Sequence, residues 1–218
     1  EGQEINTFYM SKSAGVDPTT GEQLYWAYEK NADGSMKPGS EYVTNDATVA
    51  ASCKYLQGSR IPDIYGSISS SLKFRGFDLG LLFTYSLGGK IYDSIYNALM
   101  EPSFVGQTYH RNALRTWTAP GQRTDVPRTT TTASTQITDR YLIDASYFAV
   151  KNISLGYSLP KQLLGKVGIE SLRIYLAADS PWIFTHLKGM NPQASFTGST
   201  SYSYTPNRTF TLGVDLKF

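Results

Sequence analysis

Apolar and polar residues alternate strictly at the end of the chain. Phe210, Leu212, Val214, Leu216 and Phe218 are apolar, and the residues between them are polar or glycine. A period of two residues places the apolar set on one face of a β-strand. In an outer-membrane barrel, lipid-facing and lumen-facing residues alternate in this way, and aromatic residues border the lipid-facing band. The pattern therefore predicts a terminal strand and favours a membrane barrel over a soluble β domain.

Four further segments show the same alternation, each about ten residues long, which is the length that a tilted strand needs to cross a bilayer. The third of them changes phase, because its apolar positions are even up to Val150 and odd from Ile153. One extra residue near Lys151 would restore a common face, so we predict a β-bulge there. The four predicted strands occupy residues 65–74, 78–87, 148–159 and 171–179.

The connections between these strands are of two unequal kinds. Residues 75–77 and 160–170 are short, whereas residues 1–63, 88–147 and 180–206 form long stretches that we expect to be mostly irregular. Outer-membrane barrels join their strands by brief periplasmic turns and long extracellular loops, while compact soluble domains rarely contain structureless loops of such length. This inequality predicts an all-β, antiparallel transmembrane β-barrel segment with long extracellular loops.

Two short helices are predicted within the longest connection between strands. Ile91, Ile95 and Leu99 recur at helical spacing, and residues 109–117 form the second candidate. Pro120 and Gly121 then interrupt any regular structure.

Composition is compatible with a membrane barrel and excludes several other classes. Charged residues make up 17% of the chain, below the roughly 25% of soluble domains, and the 16 Tyr, 10 Phe and 3 Trp make it rich in aromatic residues. No apolar run reaches the roughly 18 residues of a membrane-spanning helix. A net charge of +2 without a basic cluster gives no case for nucleic acid binding. Cys53 is the single cysteine, so no disulfide forms within the chain.

Five strands are too few to close a membrane barrel, which needs at least about eight. Left alone, they would expose two strand edges to lipid, where backbone groups find no partner. The first four residues, EGQE, also lack the basic and apolar regions of a signal peptide. We therefore expect the chain to be part of a longer protein.

Several short motifs occur in order along most of the chain. They are GVDPTTG at 15–21, IPDIYG at 61–66, WTAPG at 117–121, DRYLIDASY at 139–147 and KNISLGY at 151–157. In this combination, the chain resembles the C-terminal part of SusC/RagA-type TonB-dependent outer-membrane transporters.

The resemblance implies a 22-stranded barrel with an internal plug domain. It assigns residues 1–63 to a mostly extracellular loop and residues 64–218 to the last five or six strands and their loops. It also implies a multi-pass protein of the bacterial outer membrane that imports oligosaccharides or peptides. The implied partners are the remaining N-terminal part of the transporter, TonB through that part, membrane lipid, and a SusD-like surface lipoprotein.

Two sets of candidate site residues follow from this reading. Aromatic residues in the long loops can cover the apolar faces of sugars and peptides or contact the lipoprotein, although they can equally pack the loops together or lie at the membrane interface. Polar residues opposite the lipid-facing set would line the barrel lumen. The aromatic candidates are Tyr96, Phe104, Tyr109, Trp117, Trp182, Tyr202 and Tyr204, and the lumen-facing candidates are Thr84, Ser86, Arg173, Tyr175, Asp179, Thr211 and Asp215.

The sequence contains no recognisable catalytic, cofactor or metal motif. His110 and His186 are far apart and lack a metal-ligand spacing, and Asp33 with Gly34 favours a turn over a calcium loop. We therefore expect no enzymatic activity and no cofactor. A secreted β-sandwich adhesin or carbohydrate-binding module remains the alternative, although it would not account for the unequal loops. The choice between glycan and peptide stays open.

Overall fold

The computed structural model divides into two compact units. The loop unit comprises Glu1–Arg60, Lys90–Ile143 and Ser195–Tyr202, and the sheet unit comprises Ile61–Gly89, Asp144–Ala194 and Ser203–Phe218. The structure describes residues 2, 4–101, 106, 108–129, 136–164, 168–186, 191–194, 198–200 and 206–218.

Most elements are strands, and the helices are short. No helix among the described residues is long and apolar enough to cross a membrane. In chain order the strands are β1 (Thr7–Met10), β2 (Lys12–Val16), β3 (Gln23–Ala27), β4 (Tyr42–Thr44), β5 (Tyr55–Ser59), β6 (Ile64–Phe74), β7 (Phe77–Leu87), β8 (Lys90–Tyr92), β9 (Leu142–Asp144), β10 (Tyr147–Ser158), β11 (Ser171–Thr185) and β12 (Thr209–Lys217). The α-helices are α1 (Ala47–Ser52), α2 (Ser94–Met100) and α3 (Lys161–Leu164), and 3₁₀ helices span Arg111–Arg115, Asp139–Tyr141 and Pro192–Ala194.

The sheet unit contains one antiparallel sheet of five strands in the order β12-β11-β10-β7-β6. Each strand pairs with its predecessor in the sheet unit, as in an up-and-down barrel wall. The five predicted strands are confirmed, although β11 continues six residues beyond the predicted end at Asp179. Within the described residues the sheet is not closed, because β6 and β12 each have a neighbour on one side only.

The connection between β6 and β7 is a two-residue hairpin turn. Arg75 and Gly76 both have positive φ angles, of 48° and 88°. Such a turn matches the right-handed twist of the flanking strands, and it requires positive φ at both positions. A Cβ on Gly76 would also lie 2.8 Å from the backbone oxygen of Ser158. Glycine is therefore required here by both conformation and space.

The bulge predicted near Lys151 is confirmed. On β7, Phe83 faces Val150 and the adjacent Leu82 faces Asn152, so Lys151 is the extra residue of β10. The strand changes phase at this point, as the apolar pattern required.

β11 carries an irregularity at the same level of the sheet. Trp182 and Asp179 face Val150 and Asn152 of β10, which leaves two residues of β11 opposite one of β10. The first, Ser180, has a positive φ of 50°, and the second is the fully buried Pro181. Proline has no N–H to donate to a ladder, and a bulge is one of the positions in a sheet that tolerates it.

The two faces of the sheet differ in chemistry. Residues that face each other across an antiparallel ladder lie on the same side, so the register assigns every strand residue to a face. The apolar face carries large hydrophobic side chains that are exposed in this chain. Among them are Ile68, Leu72, Phe77, Phe148, Leu155, Leu176, Trp182, Phe184, Phe210, Leu212 and Val214.

The loop unit has more regular structure than predicted for residues 1–63. Strand β1 pairs with β5, β2–β3–β4 form a three-stranded sheet, and β8 pairs with β9. One core cluster joins Tyr92, Met100, Val126 and Tyr141, and a second joins Ala27, Tyr28 and Cys53. The expectation of an irregular segment was wrong because strands of three to five residues are too short to show alternation.

Both predicted helices in the longest connection are present. The first is α2, whose N-cap Asp93 accepts a hydrogen bond from the Tyr96 backbone N–H at 2.8 Å. The second is the 3₁₀ helix Arg111–Arg115. His110 precedes it, and its Nδ1 accepts a hydrogen bond from the Asn112 N–H at 3.1 Å.

Candidate functional site

The polar face of the sheet brings together every residue that was predicted to line a lumen. Asp78 lies on the same face of β7 as Thr84 and Ser86, because the three are an even number of residues apart. Its carboxylate accepts a hydrogen bond from Arg173 of β11. Arg173 in turn lies opposite Asp215 of β12. The set on this face is Thr84, Ser86, Arg173, Tyr175, Asp179, Thr211 and Asp215. Their common face is a feature of the structure, and their exposure to a lumen stays a prediction.

Arg173 is the centre of an ionic network on this face. Its Nε and Nη2 donate to the two oxygens of Asp78 at 3.0 and 2.7 Å, and its Nη1 donates to Asp215 at 3.2 Å. The guanidinium group also lies 4.9 Å from the centre of the Tyr175 ring. A planar guanidinium suits such paired bonds to a carboxylate. The network links β7, β11 and β12 across the intervening β10.

Glycines allow these side chains to lie flat on the sheet. A Cβ on Gly156 would be 2.6 Å from both Arg173 Nη2 and Asp78 Oδ1. A Cβ on Gly213 would overlap the Tyr175 ring, which covers this glycine. The large polar side chains therefore contact one another and lie against the sheet.

Tyr96 belongs to a packed aromatic cluster in the loop unit. Its ring lies edge-on to His110 at 4.9 Å and to Tyr141 at 5.8 Å, and its hydroxyl accepts a hydrogen bond from Asn112 at 2.7 Å. Burial raises the pKa of the neighbouring Tyr92 to about 12, helped by nearby carboxylates. These contacts give Tyr96 a structural role. Its contact with a substrate stays a prediction.

Trp117 connects two of the motifs that carried the resemblance. Its Nε1 donates to the Pro18 carbonyl at 2.9 Å, and its ring covers Gly21, where a Cβ would lie 2.5 Å away. The Gly121 N–H also donates to Pro18, at 2.7 Å. Asp17 closes the turn before Gly21, and hydrogen bonds from the Thr19 backbone N–H and the Thr20 hydroxyl hold the pKa of its carboxyl below the usual value.

The remaining aromatic candidates differ in their positions. The assignment of Trp182 to a loop was wrong, because it lies within β11, faces Val150 and is exposed on the apolar face. The bulge at Ser180 and Pro181 lets the strand continue through a segment that looked like a strand break. Tyr109 is partly exposed beside a cavity. Phe104, Tyr202 and Tyr204 lie outside the described residues.

The loop unit encloses a cavity of about 950 Å³ that the sequence did not predict. Its walls come from the start of β3, the N-terminus of α1, the end of α2, the 3₁₀ helix Arg111–Arg115 and the segment 126–129. On the wall, Arg128 forms an ion pair of 2.8 Å with Glu22, which also accepts a hydrogen bond from Asn45 at 2.6 Å. Further charged side chains on the wall are Asp46, Glu101, Arg111 and Arg140.

The described part of the chain brings together no group of three or more His, Cys, Asp or Glu side chains that could hold a metal ion. Asp33 closes a turn, as predicted, by accepting hydrogen bonds from the N–H and hydroxyl of Ser35 at 2.9 and 2.6 Å.

The chain is similar to known proteins both in sequence and in structure. The chain is 29% identical over its whole length to the TonB-dependent receptor P3 of Formosa agariphila and 24% identical over 89% of its length to the TonB-dependent receptor SusC of Bacteroides thetaiotaomicron. The structure of the RagAB peptide importer in the closed-closed state matches 97% of this chain, with 28% sequence identity and a TM-score of 0.82. The chain matches a segment of the SusC/RagA-type transporters. No family model matches it.

The chain corresponds to a small part of the proteins it matches. It spans 22% of the Formosa receptor, 19% of SusC and 23% of the RagAB chain. A second structure, the RagAB peptide transporter, agrees with a TM-score of 0.81 at 27% identity. The comparisons confirm the predicted resemblance and the predicted barrel-type fold. The roles of individual residues stay predictions.

Proposed function

We propose that this chain forms part of the barrel wall of a TonB-dependent outer-membrane transporter that imports oligosaccharides or peptides. The observation that carries the proposal is the exposed apolar face of the five-stranded sheet, opposite a polar face held by an ionic network. A continuous apolar surface of this extent on a soluble protein would cause association. In a bilayer the same surface contacts lipid, and the polar face lines the interior.

Aromatic residues border the apolar face at both ends. At one end, Tyr85, Phe148 and Phe184 face one another across three neighbouring strands. The Phe148 ring lies 6.4 Å from Phe184 and also stacks at 5.6 Å on Phe83, which lies two residues further into the band. At the other end of the sheet, Phe77 and Tyr157 lie 4.5 Å apart. Two aromatic rows that enclose an aliphatic band are typical of the interfacial girdles of outer-membrane barrels.

The free edges of β6 and β12 support pairing with further strands of the transporter. An unpaired strand edge in hydrocarbon leaves N–H and C=O groups without partners, at several kcal/mol each. The full-length protein would remove both edges by closing the barrel. The chain matches only about a fifth of its relatives' length, which leaves ample sequence for the other strands and a plug.

Import by this route needs no chemistry in the barrel wall. Energy would reach the transporter from the inner membrane through TonB, so we propose no enzymatic activity for this part. The similarity to SusC and to the RagAB importer supports a surface lipoprotein as partner at the extracellular mouth.

Cysteine labelling of the full-length transporter in intact cells tests the proposal. The buried Cys53 is replaced by serine, and single cysteines are introduced at Arg123 in a proposed extracellular loop and at Lys161 in a proposed periplasmic turn. An impermeant maleimide should label the first position and not the second. The reverse pattern, or a full-length protein that stays soluble without detergent, would contradict the membrane topology. Loss of solute uptake in cells without TonB then tests the transport step.

A further inference from the structure

We propose that Arg75 and Lys161, at one end of the five-stranded sheet, form a site for the headgroup of an anionic phospholipid. This end of the sheet, called the turn end, comprises the β6–β7 turn, the helix α3 that follows β10, and the end of β12. The proposal rests on the membrane location proposed above and goes beyond it by naming a lipid class. In the proposed topology the turn end faces the periplasm, so the lipid belongs to the inner leaflet of the outer membrane.

Arg75 and Lys161 belong to neighbouring connections. The Gly76 carbonyl accepts a hydrogen bond of 2.7 Å from the N–H of Ser158, which is the last residue of β10. This bond ties the β6–β7 turn to the start of the connection that contains Lys161, the first residue of α3. Three residues of chain span at most about 10 Å, so Lys161 stays close to the turn. Both cations therefore lie at the same corner of the sheet.

The carboxylates of the turn end are engaged within the sheet unit. Asp78 and Asp215 both pair with Arg173, at 2.7 and 3.2 Å. Glu170 pairs with Lys217 at 2.9 Å. These pairs leave no carboxylate side chain among the described residues of the turn end to neutralise a further cation.

The remaining cations of the turn end carry uncompensated positive charge. Arg75 and Lys161 are both exposed, and neither forms an ion pair with a described residue. An anionic headgroup would supply the missing negative charge. Basic residues near a membrane surface attract anionic lipids in this way.

The apolar face continues up to these two cations. The Arg75 guanidinium lies 5.2 Å from the centre of the Phe74 ring, which is 70% exposed, and Phe74 faces Phe77 across the hairpin. Leu163, two residues after Lys161, is 63% exposed. Long cationic side chains next to a lipid-facing surface reach the headgroups while their stems stay on the apolar surface. Acyl chains can therefore contact the apolar residues while the headgroup contacts the cations.

This arrangement favours a net anionic lipid over the other sources of phosphate. A choline headgroup carries its own cation, which neutralises its phosphate and leaves no net attraction. A free phosphate ion has no acyl chains to contact Phe74 and Leu163. We therefore assign the site to a lipid such as phosphatidylglycerol.

Quenching by brominated lipids tests the inference in the full-length transporter. A Leu163→Cys change in a Cys53→Ser background carries a bimane fluorophore, and the protein is reconstituted into vesicles of phosphatidylglycerol and phosphatidylcholine. Bromine is placed on the acyl chains of one lipid or of the other, so quenching reports which lipid lies beside the fluorophore. We expect a preference for phosphatidylglycerol of at least about fivefold, which is the contribution of one basic residue near an anionic surface.

Charge variants locate the preference at the two cations. Arg75→Gln together with Lys161→Gln should reduce it to less than about twofold, whereas Arg75→Lys alone should retain it because the charge is kept. Both side chains are exposed, so these changes remove no core contacts. The matched control is Lys30→Gln with Arg123→Gln, two exposed residues of the loop unit, which makes the same change in net charge and should leave the preference intact.

Equal quenching by the two lipids, an unchanged preference in the double variant, or an equal loss in the control would overturn the inference. Millimolar inorganic phosphate at constant ionic strength should leave the preference unchanged, and its loss would indicate a site for the free ion and contradict the lipid assignment. Strong quenching by both lipids without preference would retain the proposed membrane location while the inference fails. Quenching by neither lipid would place Leu163 away from the membrane and contradict the proposed topology itself.

Discussion

An arginine at Leu81 should disrupt insertion of the full-length transporter into the membrane. Leu81 lies on the apolar face of β7, four residues from Phe77 and four from Tyr85. At about 3.4 Å per residue, it is about 14 Å along the strand from each of these aromatic rings, which places it near the middle of the apolar band. An arginine at the midplane of a barrel's lipid face costs about 2–4 kcal/mol.

Leu82→Arg is the matched control. It makes the same substitution one residue further on β7, where the side chain lies on the polar face opposite Asn152 and Ser69. An arginine there can reach polar groups, so we expect little loss. The two variants should differ in folding equilibrium constant by a factor between about 30 and about 900, because 1.36 kcal/mol corresponds to a factor of ten.

Two assays report the difference. Heat-modifiable migration on gels measures the folded fraction in outer-membrane preparations, and urea unfolding in lipid vesicles measures the free energy. Equal losses for Leu81→Arg and Leu82→Arg, or a larger loss for Leu82→Arg, would refute the assignment of the two faces.

Three further predictions follow from local geometry and charge. Gly76→Ala should lower the free energy of unfolding by more than about 1 kcal/mol in urea titrations, and by more than Gly121→Ala, which has a similar φ but no neighbour within 4 Å of the added Cβ. Gly156→Ala and Arg173→Met should each lower the urea midpoint, and the double variant should be no worse than Arg173→Met, because both remove the same ion pairs; additive losses would contradict this. The contribution of Tyr92 to stability should be fully present below pH 10 and be lost between pH 10 and 12, as followed by near-ultraviolet circular dichroism, because the raised pKa of Tyr92 keeps it neutral in the folded state while it ionises in the unfolded state; Tyr92→Phe should reduce that loss.

The long strands of the sheet unit could be predicted from the sequence because alternation over about ten residues is a strong signal. The same signal revealed the bulge at Lys151, since an extra residue reverses the phase of the pattern. It failed beyond Asp179, where two residues of β11 face one of β10 and the second of the two is a proline. Propensity alone indicates a strand break there, and only the pairing with β10 shows that the strand continues.

The cavity could not be predicted because no local pattern announces it. Glu22, Glu101 and Arg128 are far apart in sequence and meet only after short strands and turns have folded together. Those strands have three to five residues and are defined by their partners rather than by periodicity. The face on which Leu82 lies could not be predicted from its hydrophobicity either. Leu82 is exposed on the polar face of β7, and this position follows from its pairing with Asn152.

The residues of the motifs that carry the resemblance differ from the residues that are exposed beside the cavity. The Trp117 ring covers Gly21, and its Nε1 donates a hydrogen bond to the Pro18 carbonyl. Side chains that make such contacts stabilise the loop unit and have little surface left for a ligand. Arg111 and Leu114 project from the same scaffold with exposed side chains beside the cavity. A change at these two exposed positions should leave the fold intact, so the motifs alone do not distinguish a peptide transporter from a glycan transporter.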